Sequence, residues 1–127
     1  MDDYAHHPTE IQATLKSANE FEYNKLWCIF QPHTYSRTRT LWNEFAESFD
    51  NVDELIIADI YAAREKPDGV TTSEKLAKDI EKRGVKVRYF SSFDQIENVL
   101  REEIESNDFV FTMGAGNIVD IADNLVK

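Results

Sequence analysis

The sequence predicts a Rossmann-like three-layer α/β domain, in which helices cover both faces of a mainly parallel sheet. Four short apolar runs recur along the chain, and a helical pattern follows each of them. Strand–helix alternation of this kind forms right-handed crossovers between parallel strands. Three of the runs are apolar almost throughout, which is typical of strands buried on both faces. The 127 residues suffice for one such domain.

The first two strand–helix units occupy the middle of the chain. The apolar run 26–30 precedes a predicted helix over residues 36–49, whose apolar side chains recur at helical spacing. The run 55–58 precedes a helix that begins near Thr72. Gly84 suits the end of that helix, because glycine readily adopts the left-handed conformation found there.

Two capping boxes, Thr71 with Glu74 and Ser92 with Gln95, indicate where helices begin. In such a box each side chain accepts a hydrogen bond from a backbone N–H at the start of the helix. The run 85–90 between them alternates apolar and polar residues. This alternation favours a strand near the edge of the sheet.

The outer parts of the chain complete the pattern. The run 109–113 continues through Gly114 and Gly116 into a last predicted helix, which is apolar along one face over residues 118–125. Ahead of the first strand, Pro8 is well placed in the first turn of another helix.

The composition excludes several classes of partner. A net charge of −10 disfavours a nucleic-acid backbone or an anionic membrane, since both select basic surfaces. No apolar stretch approaches the ~20 residues of a transmembrane helix, and no secretory signal stands at the start. The single cysteine, Cys28, lies in an apolar run, which favours a structural role in a reducing compartment. We therefore expect a soluble cytoplasmic protein.

Polar segments follow the predicted strands and are expected to carry the site. They cover residues 31–39, 59–70 and 113–117, and a fourth segment, residues 2–10, precedes the first helix. In open parallel sheets, ligands bind outside the carboxyl ends of the strands, where loops run into helices. These segments contain all three histidines and a local excess of arginine on an acidic chain.

Three arginines, Arg37, Arg39 and Arg64, are candidates to bind anionic ligands. A guanidinium can hold a carboxylate or phosphate through two parallel hydrogen bonds, which a lysine cannot. Arg37 and Arg39 could instead be solvated charges in the first turn of a helix. The helix dipole makes that position unfavourable for a cation unless an anion binds nearby, so ligand binding is the favoured interpretation.

The paired histidines and the glycine segment of the predicted site have simpler explanations than ligand binding. His6 and His7 are consecutive and tend to point apart, with no third ligand at a fixed spacing, so we predict no metal site. The segment from Gly114 to Gly116 could be only a tight turn, because it is incomplete as a dinucleotide motif. The residues alone therefore predict an α/β domain with an anion-binding edge.

Taken together, the polar segments identify a protein family more specifically than any one of them does. They read DDYAHHPTE, FQPHTYSRT, DIYAARE and TMGAG in order along the chain. In this order and spacing they resemble the C-terminal domain of the Mur ligases, the bacterial family that builds the peptidoglycan precursor. The resemblance covers essentially the whole chain. The QPHTYSRT segment is similar to that of the branch that adds L-alanine.

The resemblance implies a reaction in three steps. ATP phosphorylates the lactyl carboxylate of UDP-N-acetylmuramate, the amine of L-alanine attacks the acyl phosphate, and the tetrahedral intermediate collapses to an amide and phosphate. One domain of such a ligase holds the UDP-sugar, a central one holds ATP and magnesium, and the C-terminal one brings the amino acid. Closure of the domains would exclude water from the acyl phosphate.

The resemblance also implies roles for individual residues. His33 is expected to be the catalytic residue that positions the amino acid or the reacting phosphate, and Arg37 to bind the alanine carboxylate. Residues expected to help bind the substrate are Tyr4, Tyr35, Arg39 and Arg64. Residues expected beside the nucleotide are Asp3, His6, Gly114 and Gly116. Tyr61 and Glu65 are secondary candidates on the loop of Arg64.

The chain departs from the family pattern in two respects. Thr34 stands where some members have a second arginine. If that arginine binds the carboxylate in those members, Arg37 or Arg39 alone must bind it here. The sequence has no G-x-x-x-x-G-K-[ST] loop, so ATP and magnesium are expected mainly on a central domain that this chain lacks. The sheet is expected either to lack the body of the strand that leads into DDYAHH or to show only its tip. The chain is expected to fold but to be catalytically inactive alone.

Two alternatives stay open. A ligase that recycles murein tripeptide shares the DD-x-AHHPT start and differs in the second segment. A stand-alone small-anion-binding α/β module is the other, although a flavodoxin-like or response-regulator module needs a phosphate-binding or acidic loop where this chain has QPHTYSR. A structural or interaction protein would need a large exposed apolar patch, which the sequence pattern does not predict.

Overall fold

The computed structural model of the chain describes residues 2–3, 8–18 and 24–114. The strands are β1 (Asp2–Asp3), β2 (Leu26–Gln31), β3 (Glu54–Ile57), β4 (Val87–Tyr89) and β5 (Phe109–Gly114). The helices are α1 (Pro8–Ala18), α2 (Tyr35–Thr40), α3 (Trp42–Glu47), α4 (Ser73–Glu81) and α5 (Phe93–Glu103). The helix predicted over residues 118–125 lies outside the described residues.

The five strands form one parallel sheet in the order β1-β5-β2-β3-β4. Cys28 in the central strand pairs with Leu55 on one side and Phe111 on the other. The predicted parallel sheet and the edge position of the alternating run are therefore confirmed. β1 contributes two residues, with Asp3 beside Met113.

Helices cover both faces of the sheet, which confirms the three-layer prediction. On one face, α1, α3 and α4 pack on alternate strand residues such as Cys28 and Leu55. On the other face, α5 packs through Ile96 and Leu100 on the intervening residues, including Ile56. Each fully buried aliphatic side chain of this kind contributes about 1.5–3 kcal/mol, so both faces stabilise the sheet.

The predicted helix over residues 36–49 is two helices. Leu41, between α2 and α3, leaves the helical conformation, with φ −106° and ψ 22°. Directly after it, the Trp42 indole N–H donates to Asp79 of α4 over 2.7 Å. This contact between distant residues lies beyond the reach of a periodicity argument, which is why the sequence predicted one continuous helix.

Both predicted capping boxes were wrong in detail. Thr72, one residue later than predicted, caps α4 and accepts from the Lys75 N–H over 3.2 Å. Thr71 is buried and its hydroxyl donates to Asp68 instead. Ser92 does occupy the N-cap of α5, but its side chain makes no capping hydrogen bond.

Two other helix-end predictions are confirmed. α1 begins at Pro8. Gly84 follows α4 with a φ of +91°, which is the left-handed conformation expected of a glycine at a helix end. Among the described residues, none of the helices combines the length and the apolar composition needed to cross a membrane.

Candidate functional site

Two loops meet at the carboxyl edge of the sheet. Loop A (residues 32–34) joins β2 to α2, and loop B (residues 58–72) joins β3 to α4. Both leave neighbouring central strands. Their starting point is the edge where parallel α/β sheets bind ligands.

Backbone hydrogen bonds fasten loop A to loop B. The Thr34 N–H donates to the Tyr61 carbonyl and the Tyr61 N–H donates to the Pro32 carbonyl, each over 2.8 Å. His33 lies between these bonds, and its ring stacks on that of Tyr61 with centroids 5.7 Å apart and planes at 26°. The predicted catalytic histidine is thus held half-buried against a residue of the neighbouring loop.

Thr34 begins α2 from an unusual backbone conformation. Its φ is +64°, a left-handed value that β-branched residues rarely adopt. Its side chain accepts from the Arg37 N–H over 3.3 Å, and its carbonyl accepts from the Thr38 hydroxyl over 2.7 Å. Such strain costs on the order of 1–3 kcal/mol and persists where surrounding contacts hold it, which makes this turn a candidate functional element.

Glu65 of loop B binds the start of α2. One carboxylate oxygen accepts from the Tyr35 N–H over 2.7 Å and from the Ser36 N–H over 3.0 Å. The other accepts a short hydrogen bond from the Ser36 hydroxyl. The hydrogen bonds from Ser36, foremost that of its side chain, lower the pKa of Glu65 below its ordinary value. The carboxylate therefore stays charged at neutral pH.

Asp68 makes a second link from loop B to α2. Its carboxylate accepts from the Thr71 hydroxyl and N–H, each over 2.6 Å, and from the Val70 N–H over 2.8 Å. It also pairs with the Arg39 guanidinium over 2.7 Å. The hydrogen bonds from Thr71 dominate the lowering of the pKa of Asp68. Because it pairs with Asp68, the Arg39 guanidinium already has a partner within the protein.

The other two candidate arginines are placed differently. Arg37 on α2 and Arg64 on loop B are both exposed. Neither guanidinium has a hydrogen bond or ion pair with a side chain in the part of the chain that the structure describes. Arg37 borders an open groove of about 480 Å³ that is lined by Thr34, Ser36, Arg37, Thr40, Leu41 and Glu65.

A second cavity lies beside the first, near the end of β4. It has a volume of about 310 Å³, and its lining includes Tyr35, Asp59 and Tyr89. The Tyr89 hydroxyl donates a short hydrogen bond to Asp59. Burial, together with this bond, raises the pKa of Tyr89 to about 12, so the phenol stays protonated.

The predicted site residues divide into three groups by position. His33, Tyr35, Arg37, Arg39 and Arg64 all lie on loop A, α2 or loop B, so the structure brings these two polar segments together. Gly114 ends β5 opposite Gln31, and Asp3 lies in β1, on the far side of β5. The predicted residues outside the described part of the chain are Tyr4, His6 and Gly116.

The carboxylates of loop B make contacts with α2 that the sequence did not predict. Glu65 was only a secondary candidate, and Asp68 and Ser36 were not candidates at all. The sequence Asp68-Gly69 before Val70 is a recognisable signal, because aspartate before glycine commonly accepts from backbone N–H groups two and three residues later. In the residues that the structure describes, no three His, Cys, Asp or Glu side chains form a group that could hold a metal ion.

Known proteins are similar to this chain in sequence and in fold. The family described as Mur ligase, glutamate ligase domain, matches residues 1–116. The UDP-N-acetylmuramate–L-alanine ligase of Clostridium botulinum (strain Hall) is 52% identical over 127 residues, which is 100% of this chain and 28% of that protein. The ligase of the same name from Caldanaerobacter subterraneus subsp. tengcongensis is 50% identical over the same shares.

A solved structure agrees with these sequence matches. That of the UDP-N-acetylmuramate–alanine ligase of Thermotoga maritima has a TM-score of 0.76 and 26% identity, over 97% of this chain and 24% of that one. The chain thus spans about a quarter of the length of these relatives. Because the family match covers nearly all of the chain, the resemblance read from its four polar segments is confirmed. This chain belongs to the Mur ligase family and corresponds to its glutamate ligase domain.

Proposed function

We propose that this chain is the amino-acid-binding domain of an ATP-dependent ligase that joins L-alanine to UDP-N-acetylmuramate in peptidoglycan synthesis. Relatives that match it along its whole length bear the name of that ligase. The observation that carries the proposal is the state of Arg37. Its guanidinium is exposed at the carboxyl edge without a side-chain partner among the described residues, whereas Arg39 nearby is paired with Asp68.

The proposed chemistry forms an amide through an acyl phosphate. The lactyl carboxylate of UDP-N-acetylmuramate takes the γ-phosphoryl group of ATP, and ADP leaves. The L-alanine amine then attacks the acyl carbon and loses a proton, and phosphate leaves. The proposal places this reaction in the cytoplasm. A binding residue for the amino acid must hold its carboxylate and leave its amine free to attack.

Arg37 is the residue we assign to the carboxylate of L-alanine. A guanidinium binds a carboxylate through two parallel hydrogen bonds and thereby fixes its orientation. His33, held by Tyr61, would orient the amino acid or the reacting phosphate, with Tyr35 and Arg64 at the sides of the site. Arg39 would act indirectly, by tying α2 to Asp68. The residues assigned to the nucleotide side are Asp3, His6, Gly114 and Gly116, and Tyr4 is assigned to the substrate.

We assign ATP and Mg²⁺ mainly to the remainder of the enzyme. The chain has no G-x-x-x-x-G-K-[ST] segment, and its described residues contain no cluster of metal-binding side chains. This chain would therefore contribute amino-acid binding and exclusion of water, and no ligation by itself. ATP-dependent ligation by the isolated chain would contradict that division of labour.

A chimeric enzyme tests the proposal directly. In it, this chain replaces the matching 28% of the C. botulinum ligase, and phosphate release is measured with ATP, UDP-N-acetylmuramate and one amino compound at a time. We expect turnover with L-alanine to exceed that with glycine. A folded chimera that accepts murein tripeptide and not L-alanine would favour the recycling ligase. An inactive chimera beside an active parent would contradict both.

Amide chemical shifts of the isolated, labelled chain test the location of the site. Titration with L-alanine should move resonances of residues 33–39, and more than glycine does. Binding should be weak, because much of the site belongs to the rest of the enzyme. Micromolar affinity would instead favour a stand-alone binding module, and shifts confined to other residues would contradict the assignment of Arg37.

A further inference from the structure

We infer that Glu65 is a positioning residue for amino-acid binding, because its carboxylate fixes the start of α2 and thereby the place of Arg37. The inference rests on the proposed function and deepens it. Glu65 lies on loop B and Arg37 lies on α2, so the contact joins two segments that are distant along the chain. Arg37 would bind the ligand, and Glu65 would act through it.

Both oxygens of the Glu65 carboxylate accept hydrogen bonds at the start of α2. Glu65 accepts from the N–H groups of Tyr35 and Ser36, and from the Ser36 hydroxyl. The first N–H groups of a helix have no partner within the helix and require one from outside. Glu65 therefore satisfies two of these N–H groups with one carboxylate. It also fixes the direction in which the chain enters the helix.

The helix α2 is short and depends on contacts with the rest of the domain. It has six residues, which is too few for a helix to be stable in water without external contacts. Its entry through Thr34 has a φ of +64°, which such contacts must hold in place. Arg37 is only two positions beyond Tyr35, and its own N–H is bound by Thr34. A displacement of the helix start would therefore move Arg37 directly.

Glu65 also lies at the groove that Arg37 borders. Both residues belong to its lining, together with Thr34 and Ser36 at the start of α2. The residue that holds this end of the helix and the arginine proposed to bind the ligand therefore line one groove.

Variants of Glu65 in the chimeric enzyme test this role. Glu65→Ala removes the contact, and the KM for L-alanine should rise about tenfold with little change in kcat. This pattern is expected because the variant should weaken binding of L-alanine equally in the ground state and in the transition state. The KM for ATP and for UDP-N-acetylmuramate should stay unchanged. Glu65→Gln keeps an oxygen that accepts from both N–H groups, so its KM for L-alanine should stay within about threefold of that of the unmodified chimera.

Asp94→Ala is the matched control, since Asp94 is an exposed carboxylate in the first turn of α5, on the opposite face of the sheet. It should leave every kinetic constant unchanged. If Glu65→Ala lowers only the melting temperature, or raises all three KM values alike, Glu65 is merely structural and the inference is wrong. An unmodified chimera without L-alanine activity contradicts the proposed function itself, and the inference with it.

Discussion

Arg37 and Arg39 stand two positions apart on the short helix α2, yet their surroundings differ. Arg39 is paired with Asp68, a carboxylate whose pKa is held low mainly by hydrogen bonds from Thr71. Arg37 is exposed beside a groove and lacks a side-chain partner among the described residues. A guanidinium whose N–H groups have no side-chain partner can donate them to the carboxylate of a ligand. The two arginines should therefore contribute differently to ligand binding.

Substitution of each arginine in the chimeric enzyme separates these contributions. Arg37→Ala should raise the KM for L-alanine by roughly 10- to 100-fold, since hydrogen bonds to charged groups are worth about 1.5–3 kcal/mol. Arg39→Ala should raise it much less, because an exposed ion pair contributes at most about 1 kcal/mol. Steady-state kinetics with varied L-alanine check both. Equal effects would mean that Arg39 also contacts the substrate.

At the level of the elements, three helices begin in three different ways. α2 begins at the carboxylate of Glu65, from another loop, whereas α4 is capped locally by the Thr72 hydroxyl. α5 has Ser92 at its cap position without a capping hydrogen bond. The capping side chain should therefore contribute a different amount to the free energy of unfolding at each of the three helix starts.

The two hydroxyl-bearing caps offer a direct comparison of stability. Thr72→Ala should lower the free energy of unfolding by about 1 kcal/mol, the usual cost of losing a capping side chain. Ser92→Ala should lower it by less, because no such hydrogen bond is lost. Urea denaturation of the isolated chain measures both. A larger loss for Ser92→Ala would show that its hydroxyl caps α5 in solution.

At the scale of the whole molecule, a two-faced core supports one functional edge. The sheet is packed by α1, α3 and α4 on one face and by α5 on the other, and loops A and B both leave its centre. Several of the contacts around this core depend on ionised carboxylates. Hydrogen bonds lower the pKa values of Glu65 and Asp68, and Arg83 lowers that of Asp50 on the other side of the molecule.

Stability should therefore fall in acid. A carboxyl whose pKa is lower in the folded state stabilises the fold above its ordinary pKa, and this contribution is lost as the pH falls through the lowered value. The melting temperature should decline below about pH 4.5, the ordinary pKa of Glu65. The difference between the unmodified chain and Asp68→Asn should shrink below pH 3.8. A difference that stays constant down to pH 2 would show that protonation of Asp68 is not involved.

The alternation of strands and helices along the chain, the edge position of β4 and the family were all predictable from the sequence. Apolar runs report burial within a few residues, so the runs 26–30 and 85–90 predicted a central and an outer strand, observed as Leu26–Gln31 and Val87–Tyr89. The polar segments also placed His33 and Arg37 at the carboxyl edge, because parallel strands bring their ends together.

Three features required the folded structure: the break at Leu41, the cap of α4 by Thr72, and the different surroundings of Arg37 and Arg39. Each depends on a contact between residues about 30 or more positions apart, or on a side chain such as Thr71 that is committed elsewhere. Periodicity and capping patterns describe near neighbours along the chain. They cannot predict that Asp68 pairs with Arg39 or that Glu65 accepts hydrogen bonds from the start of α2. Those contacts exist only once loop B has folded onto α2.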